Sequence, residues 1–139
     1  MADTLDDLKR NLQSLANSIS SKLNERQGYL DKADEIQKIY DRLARDKKTI
    51  KEYRNDIVYF YKESYNEFKG DNYKYTYKPS IQDLRDSYDD VISNIDINLD
   101  ALNNQILSYK NNASGCLGSL GYMQIAYNSV KTQIQNWTN

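Results

Sequence analysis

The chain of 139 residues has no histidine, one cysteine, one proline and five glycines. Without imidazole there is no Ser-His-Asp triad, no histidine proton shuttle and no zinc cluster of the Cys/His type. The lone thiol, Cys116, has no internal disulfide partner. No apolar run approaches the ~20 residues of a membrane span, so stable membrane insertion is not expected. A charge surplus is missing too: 19 Lys and Arg stand against 20 Asp and Glu, leaving no bulk field to draw the chain to nucleic acid or an anionic membrane. The opening, Met1 to Leu8, is acidic and amphipathic and lacks the basic and apolar regions of a secretory leader. The length accommodates one domain over 1–139.

What the chain does have is period. From Leu5 the apolar positions run Leu8, Leu12, Leu15, Ile19, Leu23, Leu30, Ala33, Ile36, Tyr40, Leu43, Ile50, Tyr53, Ile57, Tyr61, Tyr65 and Phe68. With Arg26 and Lys47 filling two polar positions, every step is three or four, the spacing of one helical stripe. Those two long stems can lie along a seam with their charges in water. A second stripe runs from Ile81 through Leu84, Tyr88, Val91, Ile95, Leu99, Leu102, Ile106, Tyr109, Ala113, Leu117, Leu120, Met123, Tyr127, Val130 and Ile134 to Trp137. Ile97 falls off it, and is expected partly exposed or on a second seam.

Gly70 supplies a helix stop between the arms and Pro79-Ser80 a restart, with Ser80 capping and Asp83 complementing the first-turn amides. Thr4 and Asp7 repeat that arrangement at the first arm. The predicted fold is therefore all-α: a long antiparallel two-helix hairpin, coiled-coil-like, with helices over about 4–67 and 81–137 and a turn at 68–80. Each arm would span on the order of 90 Å. An isolated two-helix seam buries one side of each helix, so a further helical partner is expected.

Three local features bear on where that partner touches. Gly115, Gly118 and Gly121 recur every three residues, and a hairpin centred near residue 74 places Gly28 opposite Leu120. The glycines would then share one level, where kinks could form or a partner helix could approach closely; local fraying is the plain alternative. Aromatic residues crowd the end of the first arm and the turn, among them Phe60, Tyr61, Tyr65, Phe68 and Tyr73, more than a two-helix seam can bury. A small aromatic cap closing the hairpin is the plain reading of these. Third, the second arm opens acidic, from Asp83 to Asp100, with a spacing that fits no calcium loop and reads as a solvated face. No catalytic, cofactor-binding or metal-binding residue is assigned, and a non-enzymatic interaction module is the expected class.

The layout of helix, aromatic-x-Gly turn (Phe68-Lys69-Gly70) and helix resembles the WXG superfamily of helical hairpins handled by type VII secretion systems of Gram-positive bacteria. More narrowly, it is similar to the small YwqH-like proteins encoded beside LXG polymorphic toxins. The likeness rests on the Leu5-Asp-Asp-Leu8-Lys9 opening, the Phe68-x-Gly70-x-x-Tyr73 turn, the late glycine-bearing stretch and the ending Ile134-Gln-Asn-Trp137. It implies a targeting factor, a chaperone-like partner that binds the N-terminal helical domain of an LXG toxin, with room for a second small helical protein in the complex. Phe68 stands where that family usually has tryptophan. No Tyr-x-x-x-Asp/Glu export signal follows the second arm; the one match, Tyr59 to Glu63, lies within the first. The implied location is the cytoplasm, with export only as part of a complex and without a cleaved signal. The partner-binding residues expected are Phe60, Tyr61, Tyr65, Phe68, Gly70, Tyr73, Gly115, Gly118 and Gly121. The alternative is a self-assembling coiled coil, two hairpins forming a four-helix-bundle homodimer with no toxin partner.

Overall fold

A computed structural model describes residues 4–67 and 78–138, with side chains over 4–60 and 78–137. It consists of two helices, α1 (Leu5–Glu67) and α2 (Lys78–Thr138), packed against each other as an all-α hairpin. The positions expected at 68–77, among them Phe68, Gly70 and Tyr73, lie outside the described residues.

α1 starts as the sequence dictates. The Thr4 hydroxyl accepts from the Asp7 amide at 3.1 Å, while the Thr4 amide donates to the Asp7 carboxylate at 3.2 Å. This reciprocal pair satisfies amides that the first turn leaves without partners. Arg10 donates to the same carboxylate at 2.6 Å. Along the exposed faces, glutamine amides donate to an Asx side chain four residues on, at Gln13–Asn17, Gln27–Asp31, Gln37–Asp41 and Gln124–Asn128. Each such pair supports a helix by a few tenths of a kcal/mol.

The start of α2 corrects the expectation. The helix begins at Lys78, so Ser80 sits inside the first turn and is not its cap. Pro79 tolerates that position because a first-turn residue has no intrahelical acceptor for an N–H, and its fixed φ suits the helix. The turn therefore cannot extend to residue 80.

Contacts group the chain into two compact units, each made from a stretch of both helices: a terminal unit (Met1–Glu35 with Gln105–Asn139) and a central unit (Ile36–Asn104). Within the central unit, Arg54 of α1 donates to Asp89 of α2 through Nε at 2.8 Å and Nη2 at 3.4 Å, and Lys47 pairs with Asp96. In the terminal unit the rings of Tyr29 and Tyr109 lie 6.3 Å apart, with the Lys32 ammonium 5.6 Å from the Tyr109 centroid. The central-unit pairs run antiparallel, since the α2 partner number rises from 89 to 96 as the α1 number falls from 54 to 47.

Among the described residues the buried apolar ones are few: Leu8, Ala33, Ile106, Ala113, Cys116 and Val130 in the terminal unit, Ile95 and Leu99 in the central one. Small side chains at Ala33, Ala113 and Cys116 let the backbones approach closely. Around this core the seam is half-buried, and it does not follow the apolar stripe throughout. Leu23, Tyr53, Leu84, Val91 and Leu117 are exposed. Their seam neighbours are Lys22, Arg54, Arg85, Ile92 and Cys116. Long cationic stems cover apolar surface while their heads reach carboxylates or water. At Arg26 this fails in part, since its Nε is buried and has no hydrogen-bond partner.

Candidate functional site

The glycines come first, because their expected common level is not realised. The Tyr29–Tyr109 stack sets Gly28 beside the level of Tyr109 and Lys110. Gly115 lies five residues further along α2, about 8 Å at the helical rise, and Gly121 further still. The expectation took the loop midpoint as residue 74. With α2 beginning at Lys78, the midpoint falls earlier. In the central unit, partnered numbers such as 54 and 89 sum to 143, where the expected register required about 148. Gly28, Gly115, Gly118 and Gly121 all lie in unbroken helix, none with positive φ. A Cβ built on any of the four meets nothing within 4 Å. Among the described residues, neither backbone conformation nor a contact accounts for them.

Beside Gly115, Gly118 and Gly121 lies a set of residues the apolar reading passed over. Leu107, Tyr122 and Ile125 expose 58%, 80% and 68% of their surface. With Asn111, Ser114 and Gly118 they form a second stripe on α2, again in steps of three and four: Leu107, Asn111, Ser114, Gly118, Tyr122, Ile125. A signal for it was present in charge, since Asp100 is the last acidic residue in the chain.

The described aromatic positions belong to the end of α1, within the central unit. Phe60 is exposed, as are its neighbours Tyr53 and Tyr59. Tyr61 and Tyr65 lie on α1, but their side chains are outside the described residues, as are Phe68, Gly70 and Tyr73 entirely. Phe60 and the glycines near the end of α2 thus fall in different units.

The acidic opening of α2 is partly engaged: Asp89 and Asp96 hold Arg54 and Lys47 of α1, and Asp86 pairs with Arg85. Among the described residues, no group of three or more His, Cys, Asp or Glu could hold a metal ion, and no helix is long and apolar enough to cross a membrane. A cavity of about 20 Å³ between Ile57, Val58, Ile81, Gln82 and Arg85 has room for roughly one water. An open groove of about 330 Å³ runs past Lys51, Arg54, Asn55, Asp89 and Ile92, but the Arg54–Asp89 pair that lines it is already mutually satisfied. The chain matches no protein-family model, no curated protein and no solved structure.

Proposed function

We propose that this protein is a non-enzymatic helical partner that binds the N-terminal helical domain of an LXG-type toxin and accompanies it to type VII secretion. The observation that carries this reading is the apolar surface left outside the seam. Tyr59 and Phe60 in the central unit, and Tyr122 and Ile125 in the terminal one, are each more than half exposed. Two helices cover one side of each other, and large rigid side chains on the remaining sides are what helix-on-helix docking uses. The resemblance to the YwqH-like proteins supplies the kind of partner; the exposed aromatics supply the means.

The toxin contact is assigned to the aromatic end of α1, centred on Tyr59 and Phe60. Replacing both by serine removes two interface anchors while leaving the buried seam intact. Calorimetric titration with the toxin's N-terminal domain is expected to show affinity falling by tenfold or more, the effect of losing about 1.4 kcal/mol or more. Unchanged affinity in a variant that keeps its helical circular dichroism would remove these residues from the contact.

A further inference from the structure

Within the central unit the apolar seam repeats every seven residues on both helices: Ile36, Leu43, Ile50 and Ile57 on α1, Ile81, Tyr88, Ile95 and Leu102 on α2, each buried or half-buried. Sliding one helix past the other by seven residues, about 10 Å, brings apolar positions back against apolar positions. Burial alone does not choose among these registers; the charges do. Lys47 and Arg54 lie seven apart on α1, their partners Asp96 and Asp89 lie seven apart on α2, and the numbers of each pair sum to 143. A slide one way leaves Lys47 against Asp89 but sets Arg54 opposite Gln82 and Asp96 opposite Tyr40. A slide the other way leaves Arg54 against Asp96 but sets Lys47 opposite Asn103.

We infer that the Lys47–Asp96 and Arg54–Asp89 ion pairs together fix the register of α1 against α2, selecting one alignment from several that the apolar seam accepts. Polar residues at seam positions are a known means by which paired helices settle on one alignment, at some cost in stability. Either slide keeps one pair and strands a cation and a carboxylate, all four side chains being partly withdrawn from water. The Arg54 contact is also directional, with Nε at 2.8 Å and Nη2 at 3.4 Å from the two carboxylate oxygens of Asp89, a fork that a glutamine opposite would not reproduce. Such half-exposed pairs add little to total stability. Register, however, depends on the difference between alignments, from which the repeating apolar burial cancels. The alignment in turn decides which exposed side chains stand level across the seam. In the observed one Tyr53 lies level with Val91 and Phe60 with Leu84, to within one residue, and all four are exposed. The outer apolar surface of the central unit is thus assembled by charges that take no part in it.

Double electron–electron resonance on the full chain reads the register directly, with circular dichroism on the same samples. In a Cys116→Ser background, spin labels go on Thr49→Cys and Asn104→Cys, both exposed and both in the central unit. They stand about 15 Å apart along the axis in the observed register, and about 5 or 26 Å apart after a slide of seven. The labelled chain with both pairs intact is expected to give one distance. Two double reversals of identical composition then separate pairing from charge itself. Lys47→Glu with Asp96→Lys exchanges one pair, keeps both attractions in the observed register and makes each slide repulsive, so the distance should not change. Lys47→Glu with Asp89→Lys makes both pairs repulsive in the observed register and leaves one attraction after either slide, so the axial offset should shift by about 10 Å in most molecules. Asp89→Asn with Asp96→Asn removes the carboxylates without adding repulsion, and should add a second distance to the distribution; this variant decides if the repulsive one loses its helices. A single unchanged distance in the helical repulsive variant or in the asparagine variant overturns the inference, as does a shift in the exchanged one. Loss of helix in the asparagine variant overturns it too, since the pairs would then hold the fold and not choose its register.

Discussion

Single residues in this protein show which sequence rules act locally and which are overridden by packing. Thr4 and Asp7 are local: the cap forms because each side chain reaches the other's amide three residues away. The Thr4 hydroxyl and amide hydrogen bonds, with help from Arg10, hold the Asp7 carboxyl below its ordinary value of 3.8. A carboxylate whose pKa is lowered by folding stabilises the fold above its ordinary value, and that contribution fades as pH falls through the lowered one. Carboxyl-carbon NMR should therefore give Asp7 a midpoint below 3.8, moving back towards it in Thr4→Ala; an unshifted midpoint would mean that the cap is not formed in solution. Arg26 is the opposite case, with a buried Nε lacking an acceptor. Arg26→Met keeps a long apolar stem and removes the unsatisfied donor, so chemical denaturation should show a gain of about 1 kcal/mol. Gly28 sits mid-helix with open space at its Cβ position, and Gly28→Ala should raise the thermal midpoint, reflecting about 1 kcal/mol of backbone entropy.

At the scale of the helices, much was legible. Steps of three and four from Leu5 to Phe68 and from Ile81 to Trp137 define two arms, and those arms are α1 and α2. Ile97, set aside from the second stripe, is exposed. The choice of seam residue was less legible. Leu23 and Leu117 are as apolar as their neighbours on the stripe, yet the seam passes through Lys22 and Cys116 instead. An apolar period fixes that one face is buried, but the slow drift between helical repeat and seam decides which of two adjacent residues faces inward. The start of α2 was misplaced because Pro79 and Ser80 both carry helix-start signals and the proline prevailed. The register error at Gly28 follows in part from that displacement. The Arg54–Asp89 pair, unforeseen in an acidic stretch read as solvated, joins the two helices while about a third to a half of each side chain remains in water. A double-mutant cycle on Arg54→Ala and Asp89→Ala should yield a coupling of about 1 kcal/mol or less that shrinks with added salt. A coupling several-fold larger and indifferent to salt would contradict that reading.

For the molecule as a whole, the distribution of charge and apolar surface matters more than either total. A near-neutral sum hides a charged first hundred residues and a nearly uncharged remainder. Among the described residues the buried set is short, and no side chain is fully enclosed. The periodic stripes made the hairpin legible because they report the one face that the chain buries against itself. The outer stripe of α2 was harder to see, since glycine, serine and asparagine carry no hydrophobic signal, and only the want of charge marks them as a face. On the proposed reading, another helical protein covers the faces these two helices leave exposed. Co-expression with the N-terminal domain of the LXG toxin, followed by affinity purification on the toxin and size-exclusion chromatography, tests it most directly. The account predicts a stable complex of defined stoichiometry that survives the column; toxin domain and partner eluting apart, each folded, would contradict it.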